Sequence, residues 1–137
     1  MERFSISMEA ELLRAFDAAL KERGYQNRSE AIRDLVRNYL VEREWDEAAR
    51  EVVGVVTLVY DHHASQVSQR LLELQHHAAH VLVLCSTHVH LDPEHCLEVV
   101  VLQGKPLAVR NLAEDLIGTR GVKHGRFIPT TTGRRLP

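Results

Sequence analysis

No run of apolar residues in this chain approaches the roughly 20 needed to cross a bilayer as a helix. The opening MERFSISMEAEL has neither the basic flank nor the apolar stretch of a secretory signal. The expectation is therefore a cytoplasmic protein with no membrane partner. Cysteine is scarce: Cys85 and Cys96 are the only two, too few for a disulfide framework. In a reducing compartment, a cysteine among histidines points to metal binding or reactivity. A marked excess of charge is also missing, the formal net charge being -2. That balance leaves nucleic-acid binding open, because arginines can be gathered on one edge of a neutral assembly. Histidine is absent from the first 61 residues, whereas all nine lie between His62 and His124. The chain therefore divides into two segments with different chemistry. At 137 residues, with 45% hydrophobic and 26% charged, it can build a modest core, but two small domains would each be marginal alone.

In the first segment, Arg3, Ser5 and Ser7 alternate with Phe4, Ile6 and Met8, the two-residue period of a half-buried strand. So short a strand needs a partner, and the same strand of a second chain is the expected one. Leu12, Leu13, Phe16 and Leu20 then give one apolar helical face, ended at Gly24, which tolerates the left-handed conformation. A second helix follows, capped by Asn27 or Ser29, with Glu30 placed for a capping box if Asn27 caps. Its stripe is Ile32, Leu35, Val36, Tyr39 and Leu40, and the charged run from Glu42 to Glu51 reads as a helix end entering a linker.

A strand and two helices with so little apolar surface imply an intertwined dimer. Its two-stranded ribbon can enter the major groove with Arg3, Ser5 and Ser7 toward base edges. The positive end of the second helix, at Asn27, Arg28 and Ser29, suits a DNA phosphate. Arg28 and Arg33 either add phosphate contacts or pair with Glu30 and Asp34.

The stretches RFSISMEAELLRAFDAAL and GYQNRSEAIRDLVRNYL resemble the ribbon-helix-helix regulators, and among them the nickel-responsive regulators. The resemblance implies that Arg3, Ser5 and Ser7 read bases and that the Asn27-Arg28-Ser29 turn anchors the DNA backbone.

The second segment opens on VVGVVTLVY, residues 52 to 60, a buried strand by its β-branched content. A helix is expected over 64 to 77, and two strands over 81 to 91 and 96 to 102 around the turn at Asp92-Pro93. A helix from Leu107 to Ile117, ended by Gly118 or Gly121, precedes a last strand from Val122 to Ile128. The order strand-helix-strand-strand-helix-strand is the split, ferredoxin-like arrangement. The fold class is thus α+β: a ribbon-helix-helix domain at 1–48, a linker at 49–51, and a βαββαβ domain at 52–137. Similarity to the nickel-responsive regulators implies that the latter is ACT-like and assembles a homotetramer, a dimer of dimers.

His88 and His90 flank Val89, so both imidazoles leave the same face of one strand, and Cys96 begins the next strand beside them. Two imidazoles and a thiolate within nine residues form an incomplete transition-metal set. The bland alternative is a polar strand face with Cys96 as a small core residue. Cys85, on the other strand parity, reads as core. Glu98 is either an acceptor that orients a ligand imidazole or part of a surface or interface salt bridge. His62 and His63 are either an accessory metal site or surface residues.

The run QHHAAHVLVLCSTHVHLDPEHCLEV resembles the metal motif of the nickel-responsive regulators. In that family a fourth ligand comes from an opposing subunit, eleven residues before the His-x-His pair. That spacing falls on His77 and implies a His77, His88, His90 and Cys96 set. The family's glutamine before this histidine is here Gln75, one place early because of the extra His76, which leaves His76 as a competitor.

Further implications of the resemblance are one Ni2+ per subunit, repression of nickel uptake genes at an inverted-repeat operator in double-stranded DNA, and a cation site near Glu30 and Asp34. The residues alone also fit cobalt or copper. A zinc-dependent enzyme would need an open coordination position that four protein donors do not leave. A metal-independent antitoxin is the third class.

Overall fold

A computed structural model of the chain describes residues 1–64 and 66–137. It divides into two compact units, Met1–Tyr39 and Leu40–Pro137, each described by itself. In the first, residues 1–9 carry no hydrogen-bonded structure in the single chain. Helix α1 runs over Ala10–Glu22, and Gly24 follows it with φ +76°, as expected for the turn out of a helix. Helix α2 spans Arg28–Glu44. Asn27 caps it: its side-chain oxygen accepts the Glu30 N–H at 3.0 Å. The Glu30 carboxylate reaches back to the Gln26 N–H at 3.4 Å, one residue before the cap.

Ala31 is the only buried residue described in this unit. Phe4, Ile6, Leu12, Leu35, Val36 and Tyr39 are all exposed. A helix pair that leaves its apolar stripe in water has no core of its own, and a contiguous patch of this kind marks an association surface.

The second unit holds β1 (Val52–Asp61), α3 (Val67–His76), β2 (Val81–His90), β3 (His95–Gly104), α4 (Pro106–Ile117) and β4 (Val122–Thr130). The sheet order is β2-β3-β1-β4, every neighbour antiparallel, which is the ferredoxin-like topology the element order implied. The helix expected from residue 64 begins at Val67, and Ser65 lies outside the described residues.

β1 and β3 are buried at every second position. Val52, Val56, Leu58 and Tyr60 meet Val100 and Leu102 under α3 and α4, which contribute Val67, Leu71, Val109, Leu112 and Leu116. Each fully buried aliphatic side chain there contributes roughly 1.5–3 kcal/mol. The opposite face of the sheet carries Leu82, Leu84, Val89 and Ile128, all exposed. Gly118 caps α4, while Gly121 supplies the turn at φ +102°.

Residues 45–51, expected as a helix end and linker, form tight turns against the sheet. The Trp45 indole N–H donates to the Thr130 carbonyl at 2.9 Å, and its ring stands edge-on to Phe127 with centroids 5.5 Å apart. The Arg110 guanidinium lies 5.4 Å from the Trp45 ring centroid, within cation–π range. A Cβ on Gly54 would sit 2.5 Å from the Phe127 ring, so this strand position must be glycine for the aromatic pair to close. Gly54→Ala is expected to lose about 1–3 kcal/mol to overpacking, read as a lower urea midpoint. An unchanged midpoint would show that the ring can move aside.

Candidate metal centre and nucleic-acid interface

β2 is an edge strand beside β3, and its pairing slips once. Val83 faces Leu102 but Cys85 faces Val101, so Leu84 has no partner and forms a bulge. Beyond it Ser86, His88 and His90 face Val100, Glu98 and Cys96. Directly opposite residues of an antiparallel pair share a face, so both histidines stand on the face that carries Cys96 and Glu98. Cys96 is 1% exposed and is also opposite Tyr60 of β1. Cys85 faces the other way and is exposed. The expectation of a core cysteine is thus corrected: an edge strand's uncovered face offers it no packing.

Glu98 organises the site. It is 1% exposed, which rules out the surface reading within this chain. Its Oε1 accepts the Tyr60 hydroxyl at 3.0 Å and lies 3.0 Å from His88 Nε2. Its Oε2 accepts from Gln75 Nε2 at 2.9 Å. Burial, reinforced by the Glu98 charge, pushes the Tyr60 phenol above its ordinary value, so the hydroxyl stays a donor. With Nε2 of His88 donating to the carboxylate, Nδ1 keeps its lone pair and is the nitrogen available to a metal. Tyr60 and Gln75 are site residues that sequence reading did not assign. A lone polar residue at a buried parity of β1, and an amide one turn above the helix end, were the available signals.

His62 stands against this group. Its ring lies 5.2 Å from that of His90 and 4.0 Å from that of His63, and its Nδ1 is buried with no partner among the described residues. His63 Nε2 donates to the Pro93 carbonyl at 3.0 Å. His76 is exposed in the last turn of α3. His77 follows as the helix cap and lines a cleft of about 840 Å3 with Arg70, Glu73, Asn111 and Asp115. Among the described residues, no three His, Cys, Asp or Glu side chains converge on one point within the single chain. The donor types present, imidazole and thiolate, nonetheless suit a late first-row metal.

The turn before Cys96 is tied down by Asp92. Its Oδ1 accepts the N–H groups of Glu94 and His95 at 2.8 and 2.7 Å, and its Oδ2 accepts from His95 Nδ1 at 2.8 Å. Lys123 donates to His95 Nε2 at 2.9 Å.

In the first unit, Arg3, Ser5 and Ser7 are exposed, as is Ser29 in the first turn of α2. Arg28 forks onto Asp17 at 2.8 and 2.7 Å. Its intramolecular partner is therefore Asp17 of α1 and not Glu30, because the interhelix turn sets the two side by side. That bond holds the Asp17 carboxyl below its usual range. Glu30 is occupied at the cap, and Asp34 accepts the Tyr25 hydroxyl at 2.9 Å with Arg37 at 3.5 Å. The carboxylates expected to frame a cation site thus have protein partners.

A helix pair awaiting a second chain, joined to a split βαββαβ domain with histidines and a cysteine on one sheet face, defines a metal-responsive DNA-binding regulator. Family comparison agrees on both halves. Residues 2–43 match the ribbon-helix-helix proteins of the copG family, and residues 53–130 match the NikR C terminal nickel binding domain. The chain is 56% identical over 134 residues to a protein of Nitratidesulfovibrio vulgaris (strain DP4) named "Putative nickel-responsive regulator". Proteins of the same name from Geobacter sulfurreducens and Thermococcus onnurineus are each 52% identical over 134 residues. Each alignment covers 98% of this chain and 96% of the relative. The chain belongs to the nickel-responsive regulator family. It is a nickel-binding, DNA-binding, oligomeric transcriptional regulator and not an enzyme. No described helix is long and apolar enough to cross a membrane.

Asp92 is held at a pKa of about 2, first by the Glu94 N–H and then by His95. A depressed carboxyl stabilises the fold above its unfolded value of about 3.9 and loses that contribution as pH falls through its folded value. The turn's share is therefore expected to disappear between about pH 4 and pH 2. An NMR titration should find the Asp92 carboxyl midpoint near the lower figure. A midpoint near 3.9 would mean that these bonds do not persist in solution.

Proposed function

We propose that the protein represses nickel uptake genes in the cytoplasm. It binds an inverted-repeat operator in double-stranded DNA when nickel is plentiful, as a homotetramer built as a dimer of dimers. Each subunit takes one Ni2+ through His88, His90 and Cys96, with the fourth donor a histidine from the end of α3 in a neighbouring subunit. Motif spacing favours His77 for that role. Each paired ribbon presents Arg3, Ser5 and Ser7 to base edges, while Asn27, Arg28 and Ser29 hold the DNA backbone. For Arg28 this requires giving up, or sharing, its bond to Asp17. The domains follow as 1–48 and 52–137, joined by 49–51.

The observation that carries this reading is the register that sets His90 opposite Cys96 and His88 opposite Glu98 on an edge strand. Edge placement leaves both imidazoles accessible to a second chain, and Glu98 orients one of them. Bound nickel supplies a single point to which donors of two subunits are tied. A ligand shared between subunits favours one subunit placement over others, which is the differential affinity that a population shift requires. The uncovered sheet face, with Leu82, Leu84 and Val89, is the surface on which such subunits would associate.

Operator binding is expected to tighten roughly 5–150-fold with nickel, the usual range of such couplings. Gel shift on the upstream region, with and without chelator, measures it, and Cys96→Ser should erase the difference. Equal binding under both conditions would sink the proposal. Independently, Glu98→Gln should weaken nickel binding by roughly 10–100-fold, as loss of a ligand-orienting partner does. An unchanged nickel affinity would assign Glu98 to the fold alone.

A further inference from the structure

We propose that the α3 histidine completing the metal centre is His76, because Leu84 is an extra residue that the bulge takes up and that lengthens the count along the chain by one. The inference rests on the metal-centre reading above.

The ladder itself shows the extra residue. Val81 and Val83 face Gly104 and Leu102, positions on the helix-covered side of β3, and His88 and His90 face Glu98 and Cys96 on that same side. Odd-numbered residues before Leu84 and even-numbered residues after it share one face. In a regular strand the side chains alternate without exception, so only the bulge reconciles the two. Without Leu84 the pairing on both sides would run on unbroken, with each remaining partner as it is now. A count of residues between α3 and His88 therefore includes one that adds nothing to the path. Subtracting it moves an eleven-residue interval from His77 to His76.

Helix phase supports the same choice. Gln75 pins α3 to β3 through Glu98 at 2.9 Å, which fixes the rotation of the helix end. Ser68, Leu72 and Gln75 line the shallow recess that also contains Ser86, His88 and Glu98. His76 is four residues after Leu72, hence beside it on the flank toward the β2 edge. His77 is four residues after Glu73 and lines the cleft next to α4, on the far flank. His76 is exposed, and its neighbour Leu72 is 53% exposed. That pairing of a donor and an apolar contact faces the same way as the edge strand, where a second copy of the chain would meet it.

The test is titration of the full chain with nickel(II) alone, followed by its absorption bands and by competition with a chelator. His76→Ala should weaken binding by at least the roughly 10–100-fold that removal of even an outer partner costs, with altered absorption. His77→Ala should leave both unchanged. The reverse pattern, or no effect of either change, overturns the inference. Deletion of Leu84 should leave nickel affinity intact and still dependent on His76. Loss of nickel binding or of the fold in that deletion also counts against it, since a looped-out residue is dispensable to the ladder. Cys96→Ser separates the two levels: nickel binding unaffected by this change overturns the metal centre itself, whichever histidine is chosen.

Discussion

A carboxylate taken out of water costs several kcal/mol unless its lone pairs are matched by donors. Glu98 meets that demand by drawing on three elements besides its own strand: Tyr60 from β1, His88 from β2 and Gln75 from α3. The ladder register is thereby coupled to the orientation of an imidazole. If β2 paired one residue out of step, His88 would leave that face, and the carboxylate would lose a donor along with its partner. Core packing explains why the sheet forms, and Glu98 explains why it forms in this alignment. The metal-binding face is in this sense an outgrowth of a requirement for internal hydrogen bonding.

Much of this was legible in the amino-acid order. β1 and β3 announce themselves by β-branched runs, Asp92-Pro93 marks the turn between β2 and β3, and Asn27 with Glu30 marks the start of α2. Their order alone implies the split topology. The His88-Val89-His90 alternation placed both rings on one face correctly because it lies wholly beyond the bulge. The bulge was hidden, since Val83, Leu84 and Cys85 are all apolar and nothing in their composition distinguishes a looped-out residue from a paired one. Cys85 was misplaced because its apolar neighbours suggest a core, although the strand proves to be an edge. Tyr60 and Gln75 gain their roles only when strands distant in sequence come into register. The Arg28–Asp17 pair likewise depends on how two helices turn past each other.

The helix pair at the beginning of the chain illustrates a different limit. Local signals set its helix ends well, yet its apolar stripe has nothing to bury against within Met1–Tyr39. The information needed to fold residues 1–9 is then split between copies of the chain. A reading domain of this design cannot be half-functional: it is assembled as a pair or it has no core. Its oligomeric state and its capacity to bind DNA are the same physical fact.

Trp45 is the chain's only tryptophan, and it is wedged between the Thr130 carbonyl, the edge of Phe127 and the Arg110 guanidinium. Indole emission from this protein therefore has a single source, and that source is in the short segment between α2 and the sheet. A cation over the ring and a hydrogen bond at its nitrogen both bear on how an excited indole emits. The molecule thus carries, without any added label, an optical gauge of whether that segment is seated on β4 or has come away.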